Sequence, residues 1–193
     1  MYTEKNDIMA KSLDVAVAFL EKSIELGKKD SRYYMDFVKL HKLMYLGQCF
    51  ISSKFDMDLF EESVVADQSG PYIKGIGLIT GYCGFSEIYD ITKLKDKVIM
   101  LLSYTRKETI NLILERYGKL TTDQIVMFCK QTYAYKQYEG LYDGDFEICK
   151  QFIKISGEQI FEDICTKSGF IRYKCPNYCI YQQDCIKIKK KTL

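Results

Sequence analysis

The chain of 193 residues has no tryptophan, two prolines and one histidine. No apolar run approaches the roughly 20 residues that a membrane-spanning helix requires, so no span is expected. The opening MYTEKNDIMA lacks the basic and apolar regions of a secretory signal. Without export, the eight cysteines are expected in a reducing cytoplasm, as thiols or metal ligands in place of disulfides. There is no excess of either charge: Lys+Arg number 28 against Asp+Glu 26, so no strong field extends over the whole molecule. Missing tryptophan and scarce proline beside abundant lysine, isoleucine and tyrosine read as an AT-rich coding bias, which also raises the cysteine count a little. No internal repeat and no low-complexity linker divides the chain.

What is present is a globular composition, 47% hydrophobic, in a chain long enough to bury a core unaided by cross-links. The charge is uneven. The last 27 residues carry seven bases against Asp184, a net +6, which leaves the first 166 residues at −4.

Helical periodicity dominates. Ser12 is a candidate N-cap for a helix carrying Leu13, Ala16, Phe19, Leu20 and Ile24, and Gly27 suits a left-handed residue just past its end. Asp36 is a second candidate cap, opening a helix whose apolar stripe is Phe37, Leu40, Leu43, Met44, Phe50 and Ile51, with Gly47 admitting a close backbone neighbour. The alternation Ser63 to Asp67 predicts a short strand, and SGPYIKG a turn, because Pro71 cannot continue a ladder. A glycine-punctuated helix is expected over Tyr72 to Tyr82, with a strand at EIYDI an option. Thr105 with Glu108, and Thr121 with Gln124, form capping-box patterns, the second opening a helix to about Ala134. Asp145 is a candidate cap, and Ser156 with Gln159 marks a last helix ending near Gly169. The fold class predicted is α+β: a single, predominantly α-helical domain with a small β-sheet over residues 1–148. A short helical, Cys-rich and basic C-terminal extension occupies residues 149–193.

Four motifs invite chemistry. His41 and Cys49 lie eight positions apart, roughly 12 Å along a helix, too far for a base to touch a nucleophile. They read as a flank imidazole and a buried thiol. Gly75 to Gly81 approximates a dinucleotide loop but follows Gly-Pro inside a helical pattern, where close packing accounts for the glycines. Asp143 to Glu147 gathers three carboxylates, yet Lys154 stands where a calcium loop needs its last acid, and dipole-favoured capping accounts for them. Cys175, Cys179 and Cys185, with Cys165 ten residues before, could form a four-thiolate set for zinc or an iron–sulfur cluster, with Cys149 an alternative ligand. The closing KIKKKTL reads as a solubilising tail, so nucleic acid is not expected as a partner.

Asp14 to Gly27, Met35 to Ile73 and Ile110 to Phe128 together resemble the Panacea antitoxin domain family (SocA-like or GepA-like) over about 120 residues in the family's order. The shared features are a D-V-A-x-x-[FL]-L helix, a K-L-Q-K-L-L-Y-Y-A-Q-G helix, an L-F-x-E strand entry and a turn ending in Gly-Pro. The chain departs from the pattern at His41, where the family usually has Gln. It also lacks the tryptophan before Gly70-Pro71, and Lys130 to Lys136 replaces a Thr-His pair followed by a Trp-containing segment. The resemblance implies a non-enzymatic antitoxin, a domain that neutralises a partner toxin by binding it. The turn Asp67, Gly70, Pro71 and Tyr72 is the expected partner-binding face, because irregular turns on rigid scaffolds commonly carry recognition. Two alternatives stay open: a phage or mobile-element protein that grips a host defence protein with the same scaffold, and a metal-dependent nucleic-acid-binding regulator acting through the cysteine tail.

Overall fold

The structure, a computed structural model, describes residues 9–77, 88, 90–141 and 146–167. Its elements in chain order are helix α1 (Ser12–Gly27), a 3-10 turn (Ser31–Tyr33), α2 (Phe37–Phe55), strands β1 (Val64–Ala66) and β2 (Tyr72–Ile73), and α3 (Thr92–Lys95). There follow α4 (Tyr104–Tyr117), α5 (Thr122–Lys130), α6 (Tyr133–Lys136), β3 (Phe146–Glu147) and α7 (Lys150–Lys167). The α+β class holds: helices dominate, beside a small antiparallel sheet in the order β2-β1-β3. Val64 pairs with Ile73, and Val65 faces Tyr72 on one side and Glu147 on the other. Among the described residues no helix is long and apolar enough to cross a membrane.

α2 is the axis of the fold. Residues 39–51 are buried without interruption, polar ones included, because α1, α4, α5, β2 and above all α7 surround it. The amphipathic helix expected from its stripe is therefore enclosed on all sides. Its buried polar side chains serve backbone. Lys39 Nζ donates to the carbonyls of Arg32, Tyr34 and Gly118 at 3.0, 3.3 and 2.7 Å. The side-chain oxygen of Gln48 accepts from the Leu59 amide and its Nε2 donates to Asp58, both at 2.7 Å. Hydrogen bonds from a charged donor contribute about 1.5–3 kcal/mol, and a carbonyl left bare in the interior costs a further 1–3. Lys39→Met keeps the stem and removes the ammonium. It is expected to destabilise the protein by roughly 3 kcal/mol, read as a lower urea midpoint; an unchanged midpoint refutes the tie.

α7 lays Ile153, Ser156, Gly157, Ile160 and Ile164 on the enclosed face. Its approach to α2 is set by Gly157, where even a Cβ would run into the Cys49 carbonyl and the Ser53 side chain. Residues 150–167 lie in the segment set off above as an extension, and this packing joins them to the helical core.

Local signals were right in part. Asp36 caps α2, accepting from the Lys39 amide at 2.7 Å, and the Thr121–Gln124 capping box is complete. Ser12 does not cap α1: it is already helical and buried, and the carboxylate of Glu62 takes its amide at 2.7 Å. Gly27 is the last helical residue and has no positive φ; it is glycine because the Tyr34 ring lies 2.5 Å from where a Cβ would stand. Beside Gly47 it is the Leu59 side chain, not a backbone, that comes within 2.8 Å of a Cβ position. Thr105 sits one residue inside α4 behind the N-cap Ser103, so no capping box forms there. The helix expected over Tyr72 to Tyr82 does not start at Tyr72, since His41 and β1 capture that backbone as strand β2; Ile76 and Gly77 are helical, and residues 78–82 lie outside the described residues. Ile88, Asp90 and Ile91 are in no strand. α5 stops at Lys130, short of Ala134, and α6 follows. Ser156 and Gln159 lie mid-helix in α7 and cap α6 instead, accepting from the Ala134 and Tyr133 amides at 2.7 and 3.1 Å. Asp145 lies outside the described residues.

Candidate functional site

The expected partner-facing turn is built on α2. Gly70 donates its amide to the Asp67 carbonyl at 2.8 Å, closing a tight turn, and its φ of +97° is one that side-chain-bearing residues rarely adopt. The Asp67 carboxylate accepts from the Ser69 amide and hydroxyl at 2.8 and 2.7 Å. Partial burial pushes this carboxyl up, but the Ser69 bonds, with the Lys42 charge behind them, outweigh it and its pKa is lowered.

Three side chains hold the turn from below. Lys42 Nζ donates to the Pro71 carbonyl at 2.9 Å, Tyr135 Oη to the Asp67 carbonyl at 2.7 Å, and the Ile73 amide donates to His41 Nδ1 at 2.9 Å. Because Nδ1 accepts, the imidazole is the neutral Nε2–H tautomer. Burial, then the Lys42 charge, pushes its pKa down to about 3. Phe37 and Tyr72 meet the ring edge-on at 4.4 and 5.9 Å. Burial also brings Lys42 down to about 8, opposed by nearby Cys129 and Asp67. Such a lysine is still mostly charged at neutral pH.

The four residues singled out in the turn divide by role. Gly70 and Pro71 are buried and shape the bend, while Asp67 and Tyr72 are half-buried. The exposed tip is Gln68 and Ser69, which the sequence reading passed over. Lys42 and Tyr135 were missed as well. A lysine interrupting an apolar stripe was the available signal for the first; nothing local marks the second.

The other candidates fall elsewhere. Cys49 and Cys129 are fully buried, and burial pushes both thiols up, that of Cys129 to about 12. Cys129 Sγ lies 3.8 Å from the Lys42 carbonyl. Such thiols are protonated at neutral pH and poor nucleophiles. Of the thiolate set, Cys165 falls in the last turn of α7, while Cys175, Cys179 and Cys185 lie outside the described residues. Cys149, the alternative ligand, is exposed. Among the described residues no group of three or more His, Cys, Asp or Glu side chains could hold a metal ion. Comparison with protein-family models, with curated proteins and with solved structures returns no match.

Proposed function

We propose that the chain is a non-enzymatic binding protein, an antitoxin that neutralises a partner toxin by occluding it, with the Gln68–Ser69 tip at the centre of the docking face. The observation that supports this most directly is the clamp: an exposed two-residue tip whose flanking backbone is fixed by Lys42, His41 and Tyr135. A surface already held in its bound shape loses little entropy on association, so modest contact area yields useful affinity. The resemblance to the Panacea antitoxin domain points the same way. A host defence protein as partner would use the same tip, and the product of the adjacent reading frame distinguishes the two.

The test is neutralisation of that product on co-expression, with its affinity measured by calorimetry. Gln68→Arg changes only an exposed side chain and leaves the Ser69 bonds to Asp67 in place. It is expected to weaken binding at least tenfold, about 1.4 kcal/mol, and to abolish neutralisation without moving the melting temperature. Full neutralisation by this variant removes the tip from the interface.

A further inference from the structure

A second surface is marked by residues 98–103, on the α1 side of the fold. Val98, Met100 and Leu102 turn toward the core, whereas Ile99 is 82% and Leu101 88% exposed, with Tyr104 following at 67%. That alternation has the period of an extended strand seated on a core. The segment is nonetheless outside the sheet. Among the described residues, no backbone–backbone hydrogen bond engages residues 99–102, and the Ile99 amide goes to Asp14 Oδ1 at 2.9 Å. At this site, Asp14 Oδ2 is buried with no partner, as is the Ser103 hydroxyl. The strip is thus pinned lightly and presents an open edge beside two large apolar side chains. Unpaired edges of this kind accept an added strand, in which main-chain bonds give affinity and alternate side chains give specificity.

Charge selects the occupant. Lys93, Lys95, Lys97 and Lys107 are all exposed near the strip, against two exposed acids, Asp96 and Glu21, the latter in an ion pair with Lys95 at 2.8 Å. A second copy of the chain seated on the strip would bring a second set of these lysines, carried on or next to the flanking helices, beside the first, and juxtaposed like charges oppose association. A strand bearing carboxylates meets no such conflict. We infer that residues 98–103 are a docking strip for an extended acidic segment of another protein, with apolar residues at every second position. This inference does not rest on the role given to the Asp67–Tyr72 turn.

The experiment uses the full chain and two fluorescein-labelled peptides of alternating pattern, EVEVEVE and its charge-reversed twin KVKVKVK, followed by fluorescence polarisation. EVEVEVE is expected to bind at least tenfold more tightly than KVKVKVK, to weaken at high salt, and to slow amide exchange at residues 99–102. Ile99→Ser/Leu101→Ser should lose at least tenfold in affinity with an unchanged melting temperature, both side chains being exposed. Equal binding of the two peptides, binding to neither, or full binding by the double variant overturns the inference. So does a wild-type dimer in sedimentation that the double variant abolishes, which would assign the strip to a second copy.

Discussion

Gly157→Ala is expected to destabilise the protein by about 3 kcal/mol, although alanine is the better helix former by roughly 1 kcal/mol. The sign is decided by geometry. At this position a Cβ would sit inside van der Waals contact of the Cys49 carbonyl oxygen and the Ser53 side chain, and 2.8 Å from the Cys49 carbonyl carbon. Backbone atoms of a buried helix cannot swing aside as a side-chain tip can, so α7 must lift from α2 along its length. The Ile153, Ile160 and Ile164 contacts would loosen together, with the Lys54–Glu158 ion pair at their edge. In a chain of this size, such a loss lowers the melting temperature by roughly 6–12 °C. Alanine at the exposed neighbour Glu158 should be nearly neutral by comparison. A Gly157→Ala protein as stable as the parent would show that α7 does not approach α2 so closely.

The second large effect is on acid stability. His41 is the chain's one imidazole, and its pKa is pushed from 6.5 down to about 3, by burial first and by Lys42 second. The unfolded chain therefore binds a proton below pH 6.5 that the folded protein refuses. The stability contributed by neutral His41 is complete above 6.5 and is lost progressively as pH falls toward 3. By about pH 4 the loss is roughly 3 kcal/mol, since each pKa unit corresponds to about 1.4 kcal/mol. Burial and the Lys42 charge set this shift, and the geometry adds a consequence: a proton on Nδ1 would face the Ile73 amide hydrogen and loosen β2 from the helix beneath it. His41→Gln can still accept from the Ile73 amide through its amide oxygen and takes up no proton. Urea unfolding of the two proteins from pH 8 to pH 4 is expected to give a constant difference above 6.5, then one that shifts steadily in favour of Gln. Parallel curves throughout would show that the imidazole is free to protonate in the fold.

The features legible from sequence were those whose partners are near in the chain. Asp36 and the Thr121–Gln124 pair cap their own helices across three residues, and the Val64–Ala66 strand and the Gly70-Pro71 bend declare themselves through alternation and backbone demands. Signals whose recipient is distant misled. Ser156 and Gln159 have the chemistry of a cap and do cap a helix, but that helix is α6, reached across 22 and 26 residues. At Ser12 the capping role was taken by Glu62, 50 positions away. The full burial of α2 was hidden because Lys39, Lys42 and Gln48 read as a solvated face; their polar atoms in fact satisfy backbone carbonyls and amides of other segments. The site divided the same way: its turn was visible, while the Lys42 and Tyr135 bonds beneath it are tertiary.

The meeting of α2 with α7 has a temporal meaning. Cys49 and Gly157 touch across more than half the chain, so on the ribosome the midsection of α2 is made long before its cover. At about 5–20 residues per second, that interval is on the order of 5–20 seconds. Throughout it, a row of Leu, Met and Phe side chains has no lasting shelter. Newly made molecules therefore pass through a window in which chaperones and proteases compete for them, and closure of this pairing sets the moment at which each molecule becomes competent.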